Sequence, residues 1–163
     1  MHTRGRMLMG LGLGAGLLAL TAPAKAAPQC LPLQAVGESG SIVSKRVSPN
    51  QVLFVRDNWV TDFAVPPGAR FAQFVATVTS RTISSASGDA RKLQTYSIQV
   101  SLRYPENNED RMFDQTVDLD QGLPLDIQVW PRSYALPEVI RLRVGGEAAI
   151  GSDYTVGVAG CSS

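Results

Sequence analysis

The chain has 163 residues, 44% of them hydrophobic, and its 15 Lys and Arg nearly balance its 14 Asp and Glu. This length fits one globular domain, and the low charge excludes a long acidic or basic disordered tail. The sole histidine is His2, and the two cysteines are Cys30 and Cys161, so most histidine-based and cysteine-based chemistry is already excluded.

Residues 1–26 have the layout of a secretory signal peptide. Two arginines precede an apolar run from Met7 to Leu20, and Ala24-Lys25-Ala26 follows as a small-residue cleavage motif. We expect cleavage after Ala26 and a periplasmic or secreted mature protein. The alternative is a membrane anchor, but an anchor needs about 20 apolar residues, and this run is shorter and contains four glycines. No membrane insertion is therefore expected after cleavage.

The mature chain, residues 27–163, would contain no histidine. Because Arg4, Arg6 and Lys25 lie in the signal peptide, it would keep 12 of the 15 basic residues against all 14 acidic ones. Such a balance offers no basic surface for nucleic acid. Two cysteines in an exported chain predict one disulfide, Cys30–Cys161, which would join the two ends of the domain. An intermolecular bond or free thiols are the alternatives.

Alternating apolar and polar residues dominate the mature chain, as is typical of half-buried β-strands. The clearest run places Tyr96, Ile98 and Val100 on one face, with Leu102 and Tyr104 continuing it. Phe71–Thr79 is apolar on both faces, which predicts a central strand. The other predicted strands are Ile42–Val47, Gln51–Arg56, Trp59–Val65, Phe113–Asp120, Leu125–Trp130, Val139–Val144 and Tyr154–Val158.

About nine short strands separated by turn residues such as Pro66-Pro67-Gly68 predict an all-β domain over residues 27–163. The expected architecture is an antiparallel β-sandwich of the jelly-roll or immunoglobulin-like kind. Thr95–Trp130 is expected to form a three-strand meander. Ser80–Lys92 is rich in serine and predicts a long loop, either a binding loop or a tolerated surface insertion.

The residues argue against an enzyme. Without histidine the mature domain has no imidazole to activate a serine or cysteine nucleophile, and the motifs of lysine-activated serines and of phosphate-binding loops are absent. Glycoside hydrolysis needs only two carboxylic acids and is the remaining catalytic alternative. Its candidates are Glu106, Glu109, Asp110, Asp114, Asp118 and Asp120.

The same acidic region could provide oxygen ligands for calcium. The candidate ligands are Glu109, Asp110, Asp118 and Asp120, and calcium accepts several oxygens in loose geometry. The alternative is that these acids keep the surface soluble or protect a strand edge. No other cofactor is expected.

Trp130 is the strongest candidate for ligand contact. By alternation it lies on the polar face of its strand, beside Asp126 and Gln128, and Tyr134 follows in the next loop. Flat aromatic surface flanked by hydrogen-bonding groups suits a sugar ring or a partner protein. The alternative is a Trp130 ring folded back onto the sandwich. Arg141 and Arg143 share one face and could lie opposite Asp126, in an exposed ion pair or, as the alternative, in an anion site.

Two patches, Asp57–Gly68 and Gly151–Val158, resemble the bacterial pre-peptidase C-terminal domains, which are small jelly-roll sandwiches appended to secreted enzymes. The resemblance implies a noncatalytic sandwich in an exported protein, and it carries over no site residue.

The sequence thus predicts an exported, noncatalytic β-sandwich that binds a carbohydrate or another envelope protein. A structural subunit of a cell-surface assembly, joined through exposed strand edges, is the first alternative. A carboxylate-dependent glycoside hydrolase is the second.

Overall fold

The computed structural model describes residues 29–49, 58–81 and 93–162. In these residues the chain forms ten β-strands and two short 3-10 turns, Pro105–Asn107 and Glu147–Ala149. The strands are β1 Cys30–Pro32, β2 Gln34–Ala35, β3 Ile42–Arg46, β4 Val60–Ala64, β5 Gln73–Ser80, β6 Gln94–Arg103, β7 Glu109–Leu119, β8 Pro124–Val129, β9 Val139–Gly145 and β10 Asp153–Cys161.

The strands build two antiparallel sheets. In the first sheet β10 lies between β5 and an edge formed by β1 and β3, and β8 forms the opposite edge beside β5. In the second sheet the order is β2-β4-β9-β6-β7. The predicted antiparallel β-sandwich is therefore confirmed.

The pairing scheme identifies the sandwich as a jelly roll. Strand β6 pairs with β7, β5 with β8, β4 with β9 and β3 with β10, as in one long hairpin that has been rolled up into two sheets. Each successive pair joins strands farther apart in the chain, so two Greek keys result. This pairing scheme settles the choice between the jelly-roll and the immunoglobulin-like arrangement.

The core lies between the two sheets and follows the predicted alternation. In β6, Tyr96, Ile98, Val100 and Leu102 are all at most 1% exposed, and they face the buried side chains of β5, β8 and β10. Close packing restricts side-chain size at Gly145, where a Cβ atom would overlap the ring of Trp59. The Trp59 indole is also held in place by a hydrogen bond that its Nε1 donates to the Ser48 carbonyl (2.9 Å).

The predicted disulfide is present and bridges 131 residues. Cys30 and Cys161 are paired neighbours in β1 and β10, so the bond crosses between adjacent strands at the edge of the first sheet. It holds the two ends of the described domain together.

One strand prediction is wrong. The meander from Thr95 to Trp130 ends after two strands, because β8 leaves the second sheet and pairs with β5 in the first. The prediction of a central strand in Phe71–Thr79 is confirmed, because β5 pairs with β10 on one side and with β8 on the other. The strand starts at Gln73, and its residues alternate between half-buried and buried. The run looks apolar throughout because the outward face carries valine and threonine.

Some predictions lie outside the described residues. They concern the signal peptide, the strand Gln51–Arg56 and most of the loop Ser80–Lys92. No helix in the described part of the chain has the length and the apolar character needed to span a bilayer.

Candidate functional site

The aromatic candidates lie on the connection between the two sheets. Strand β8 ends at Val129 in the first sheet, and β9 begins at Val139 in the second, so residues 130–138 cross one end of the sandwich. We call these residues the aromatic loop. Trp130 is 56% exposed and Tyr134 is 82% exposed, so Trp130 is not folded back onto the core.

Asp126 and Gln128 lie on the outward face of β8, and Trp130 directly follows the last residue of that strand. Ile127 and Val129 point inward and are at most 5% exposed, whereas Asp126 and Gln128, which alternate with them, are exposed. The Asp126 carboxylate accepts a hydrogen bond from the Thr77 hydroxyl on β5 (2.6 Å), and Gln128 lies opposite Val75. Gln128 and Asp126 thus lie along β8, and the strand leads directly into Trp130.

Arg132 fastens the aromatic loop to the body of the sandwich. Its guanidinium donates to both carboxylate oxygens of Asp110, with a distance of 2.7 Å from Nε to Oδ2. The Arg132 backbone N–H also donates to the Tyr104 hydroxyl (3.0 Å). The guanidinium carbon Cζ of Arg132 lies 4.7 Å from the centre of the Tyr104 ring and 6.0 Å from the centre of the Tyr134 ring. The loop is therefore ordered around a two-pronged ion pair, which is stronger than a single charged contact.

The electrostatics of this contact favour the charged form of Arg132 and the neutral form of Tyr104. The hydrogen bonds to Asp110 raise the pKa of the Arg132 guanidinium, although partial burial opposes this effect. Burial raises the pKa of the Tyr104 hydroxyl, so Tyr104 stays protonated and neutral at physiological pH. The loop anchor is consequently a neutral unit made of one cation, one anion and one phenol.

The four predicted calcium ligands do not meet at one place. Glu109 and Asp110 lie at the start of β7 and Asp118 near its end; eight or more residues of extended strand correspond to about 26 Å. Asp110 is engaged by Arg132, and Asp118 accepts a hydrogen bond from the Thr95 hydroxyl. In residues 29–49, 58–81 and 93–162 no group of three His, Cys, Asp or Glu side chains could hold a metal.

Four of the six acids proposed for glycoside hydrolysis are engaged individually, Asp110 and Asp118 as just described and two more in the same hairpin. The carboxylate of Asp114 binds Arg111 (3.1 Å) and Gln99 (3.2 Å), and Glu109 lies 3.8 Å from Arg103. Glu106 lies in the 3-10 turn between β6 and β7, and Asp120 follows the end of β7. These positions spread the six carboxylates along one hairpin.

The expected proximity of Arg141 and Arg143 to Asp126 is wrong. Asp126 belongs to the first sheet and the two arginines to the second. Arg141 instead donates to both oxygens of Asp62 on β4, at 2.8 Å each, and the Arg143 guanidinium lies 4.9 Å from the centre of the Trp59 ring. Strand order, which local alternation does not encode, explains the error.

Sequence reasoning missed the roles of Arg132, Asp110 and Tyr104 in the candidate site. Asp110 and Arg132 are 22 residues apart and sit on different elements. The only local signal was the run Trp130-Pro131-Arg132-Ser133-Tyr134, in which an arginine lies between two aromatic residues.

Comparison with known proteins gives no family. No protein-family model matches the chain, so the resemblance to the pre-peptidase C-terminal domains is not shown, and no curated protein matches it. Some solved structures are distantly similar. One is the C-terminal family 22 carbohydrate-binding module of Clostridium thermocellum Xyn10B, with 13% identity and a TM-score of 0.38 over 78% of this chain and 88% of that chain.

A second is the CBM22-1 xylan-binding domain of Paenibacillus barcinonensis Xyn10C, with 11% identity and a TM-score of 0.38 over 84% of this chain and 97% of that chain. Because these identities and TM-scores are low, the ligand of this chain has to be argued from its own residues.

Proposed function

We propose that this domain is a noncatalytic carbohydrate-binding module that binds neutral sugar chains through the aromatic loop. The observation that carries the proposal is the exposure of Trp130 (56%) and Tyr134 (82%) on a loop that an internal ion pair holds in place. Both rings lie in the part of the chain that the structure describes, so their exposure is a property of the fold.

Aromatic rings in this arrangement suit a sugar. A sugar ring has an apolar C–H face that packs on an aromatic ring, and its hydroxyl groups need hydrogen-bonding partners at the edge of that ring. Asp126 and Gln128 supply such partners on the strand that leads into Trp130. Because tryptophan and tyrosine have few rotatable bonds, they bind with little loss of side-chain entropy. The Arg132–Asp110 contact lowers that loss further by ordering the loop before binding.

The electrostatic surroundings favour a neutral ligand. Arg132 is balanced by Asp110, and Asp126 adds a negative charge beside Trp130. An acidic polysaccharide would be repelled by Asp126 and would find Arg132 already paired. We therefore expect neutral polysaccharides to bind better than acidic ones.

Export is part of this proposal. A signal peptide over residues 1–26 would carry the chain to an oxidising compartment, where the Cys30–Cys161 disulfide persists. The N-terminal sequence of the secreted protein should begin at Ala27.

The decisive experiment removes the aromatic rings. Trp130→Ala and Tyr134→Ala should each lower retention on soluble neutral polysaccharides, such as xylan and hydroxyethylcellulose in affinity electrophoresis, by about tenfold or more, since hot-spot aromatics contribute about 2 kcal/mol. The melting temperature should barely change, because surface substitutions usually alter stability by about 0.5 kcal/mol at most.

Leu123→Ala is the matched control, since Leu123 is as exposed as Trp130 but lies in the turn before β8. It should leave retention unchanged. Binding that survives the loss of both rings would refute the proposal, as would hydrolysis of the same polysaccharides by the wild-type protein. Capture of one envelope protein, lost in Trp130→Ala while no glycan binds, would show that the loop serves a protein partner instead.

A further inference from the structure

The outward face of the first sheet continues the candidate site away from the aromatic loop. Outward side chains of neighbouring strands meet in rows, because paired residues share a face of the sheet. One row runs from Gln128 on β8 through Val75 on β5 to Ala159 on β10. The next row runs from Asp126 through Thr77 to Gly157, and Gly157 is paired with Ile42 on β3.

Small side chains create a groove along these rows. Gly157 and Ala159 leave the sheet low at its centre, while Ile42, 69% exposed, and Pro32 rise beside it. The resulting groove has a volume of about 300 Å³. We call it the outer groove; its lining includes Pro32, Ile42, Val75, Thr77, Thr155 and Gly157.

The chemistry of the outer groove is uncharged and mixed. No Asp, Glu, Lys, Arg or His side chain lines it among the described residues, and its polar groups are hydroxyls such as those of Thr77, Thr79 and Thr155. Apolar surface interrupted by hydroxyls is unsuited to an ionic ligand, because a charge there would lose water without gaining a partner. It suits a ligand that itself alternates C–H surface with hydroxyl groups.

From these observations we propose that the outer groove is an extension of the carbohydrate site, so that one neutral sugar chain lies across the strands from Trp130 to Ile42. The inference rests on the proposed function and adds the direction and length of the ligand. Three strand spacings separate β8 from β3, about 14 Å in all, which is long enough for several linked sugar rings. Asp126 and Gln128 lie on β8 between the two parts, beside the groove residues Thr77 and Val75 with which they are paired.

The shape of the groove also explains why this face carries glycine and alanine on its central strand. A side chain at Gly157 would lie 3.1 Å from the Ser41 carbonyl oxygen and 3.5 Å from the Ile42 side chain, and so would fill the groove where it narrows against β3.

The test measures affinity as a function of ligand length. Xylo-oligosaccharides and cello-oligosaccharides from disaccharide to hexasaccharide are titrated into the intact protein by calorimetry. The wild type should bind the hexasaccharide of the preferred series about tenfold or more tightly than the disaccharide. Val75→Arg places a long charged side chain across the middle of the path and should remove most of that gain, leaving disaccharide binding within about twofold.

Thr116→Arg is the matched control, because Thr116 points outward from β7 in the second sheet and is exposed. It should keep the full length dependence. Ala159→Gln is a second, smaller obstruction in the same groove and should reduce the hexasaccharide affinity in the same direction, so a folding defect in Val75→Arg does not decide the result.

Failure of this inference differs from failure of the proposed function. If Trp130→Ala abolishes binding but affinity is independent of ligand length and of Val75→Arg, the aromatic loop binds the sugar and the outer groove does not. If neither series binds the wild type, and neutral polysaccharides do not bind either, the proposed function itself is wrong.

Discussion

Two buried tyrosines show how differently the same side chain can be satisfied in one core. The rings of Tyr96 and Tyr154 are fully buried and pack edge to face, with their centres 6.1 Å apart. The Tyr96 hydroxyl donates to the Asp153 carbonyl (3.2 Å) and lies 3.1 Å from the Ser80 hydroxyl. The Tyr154 hydroxyl has no hydrogen-bond partner among the described residues.

Removing each hydroxyl should therefore have opposite consequences. Tyr96→Phe leaves the Ser80 hydroxyl unpaired in the core and should lower the free energy of unfolding by about 1 kcal/mol or more. Tyr154→Phe removes an unpaired buried hydroxyl and should leave stability unchanged or raise it. Urea unfolding of the two variants measures the difference, and an equal loss in both would show that Tyr154 has a partner.

Tyr154 also makes the stability of the protein depend on pH in the alkaline range. Burial raises the pKa of the Tyr154 hydroxyl above the ordinary value of 10.0. In the unfolded chain the Tyr154 hydroxyl loses its proton near pH 10, whereas in the folded protein the hydroxyl keeps its proton. Deprotonation therefore stabilises the unfolded state, and the free energy of unfolding falls as the pH rises above 10. Tyr154→Phe should make this alkaline loss shallower, and unfolding curves between pH 8 and pH 11 would show it; equal slopes would contradict it.

Among the strands, β7 is the one most open to pairing with a strand of another molecule. It has 11 residues, forms one edge of the second sheet among the strands that the structure describes, and carries an exposed Met112. Exposed strand edges invite pairing, and charged side chains oppose it. Asp114 and Asp118 lie exposed along this edge, which supports edge protection as the role of the acidic region.

Replacing those charges should cause association. Asp114→Val with Asp118→Val should shift the protein from monomer to larger species at high concentration in size-exclusion chromatography, since two like charges per edge no longer repel a second copy. Glu38→Val with Glu147→Val removes the same charge from exposed turns and should remain monomeric. A wild type that already assembles through strand edges would favour the surface-assembly alternative.

At the scale of the whole molecule, the disulfide closes a fold whose first and last strands are neighbours. Cys30 and Cys161 lie on β1 and β10 and are 131 residues apart. The bond therefore restricts the conformations of the unfolded chain over nearly the entire domain. Constraints over long loops are the most effective in the chain-entropy account.

Loss of the bond should be costly without changing the fold. Cys30→Ala with Cys161→Ala should lower the free energy of unfolding by about 2–5 kcal/mol. The retained β3–β10 and β5–β10 pairing should keep the circular dichroism spectrum of the native protein. Denaturant titration of both proteins tests this, and identical midpoints would contradict it.

The positions of the strands and the faces of their residues were readable from the sequence because alternation is local: a side chain two positions away returns to the same face. This is why the inward row of Tyr96, Ile98 and Val100, and the outward position of Trp130, are as predicted. The disulfide was readable because only two cysteines exist in the chain.

Strand partners were decided only by the tertiary structure, because alternation is the same whichever sheet a strand joins. The jelly-roll pairing took β8 away from β7 and put Asp126 beside Thr77 instead of Arg141. It also brought Asp110 to Arg132 across 22 residues. The outer groove exists for the same reason: its lining residues come from strands far apart in sequence, and only long-range pairing places them side by side.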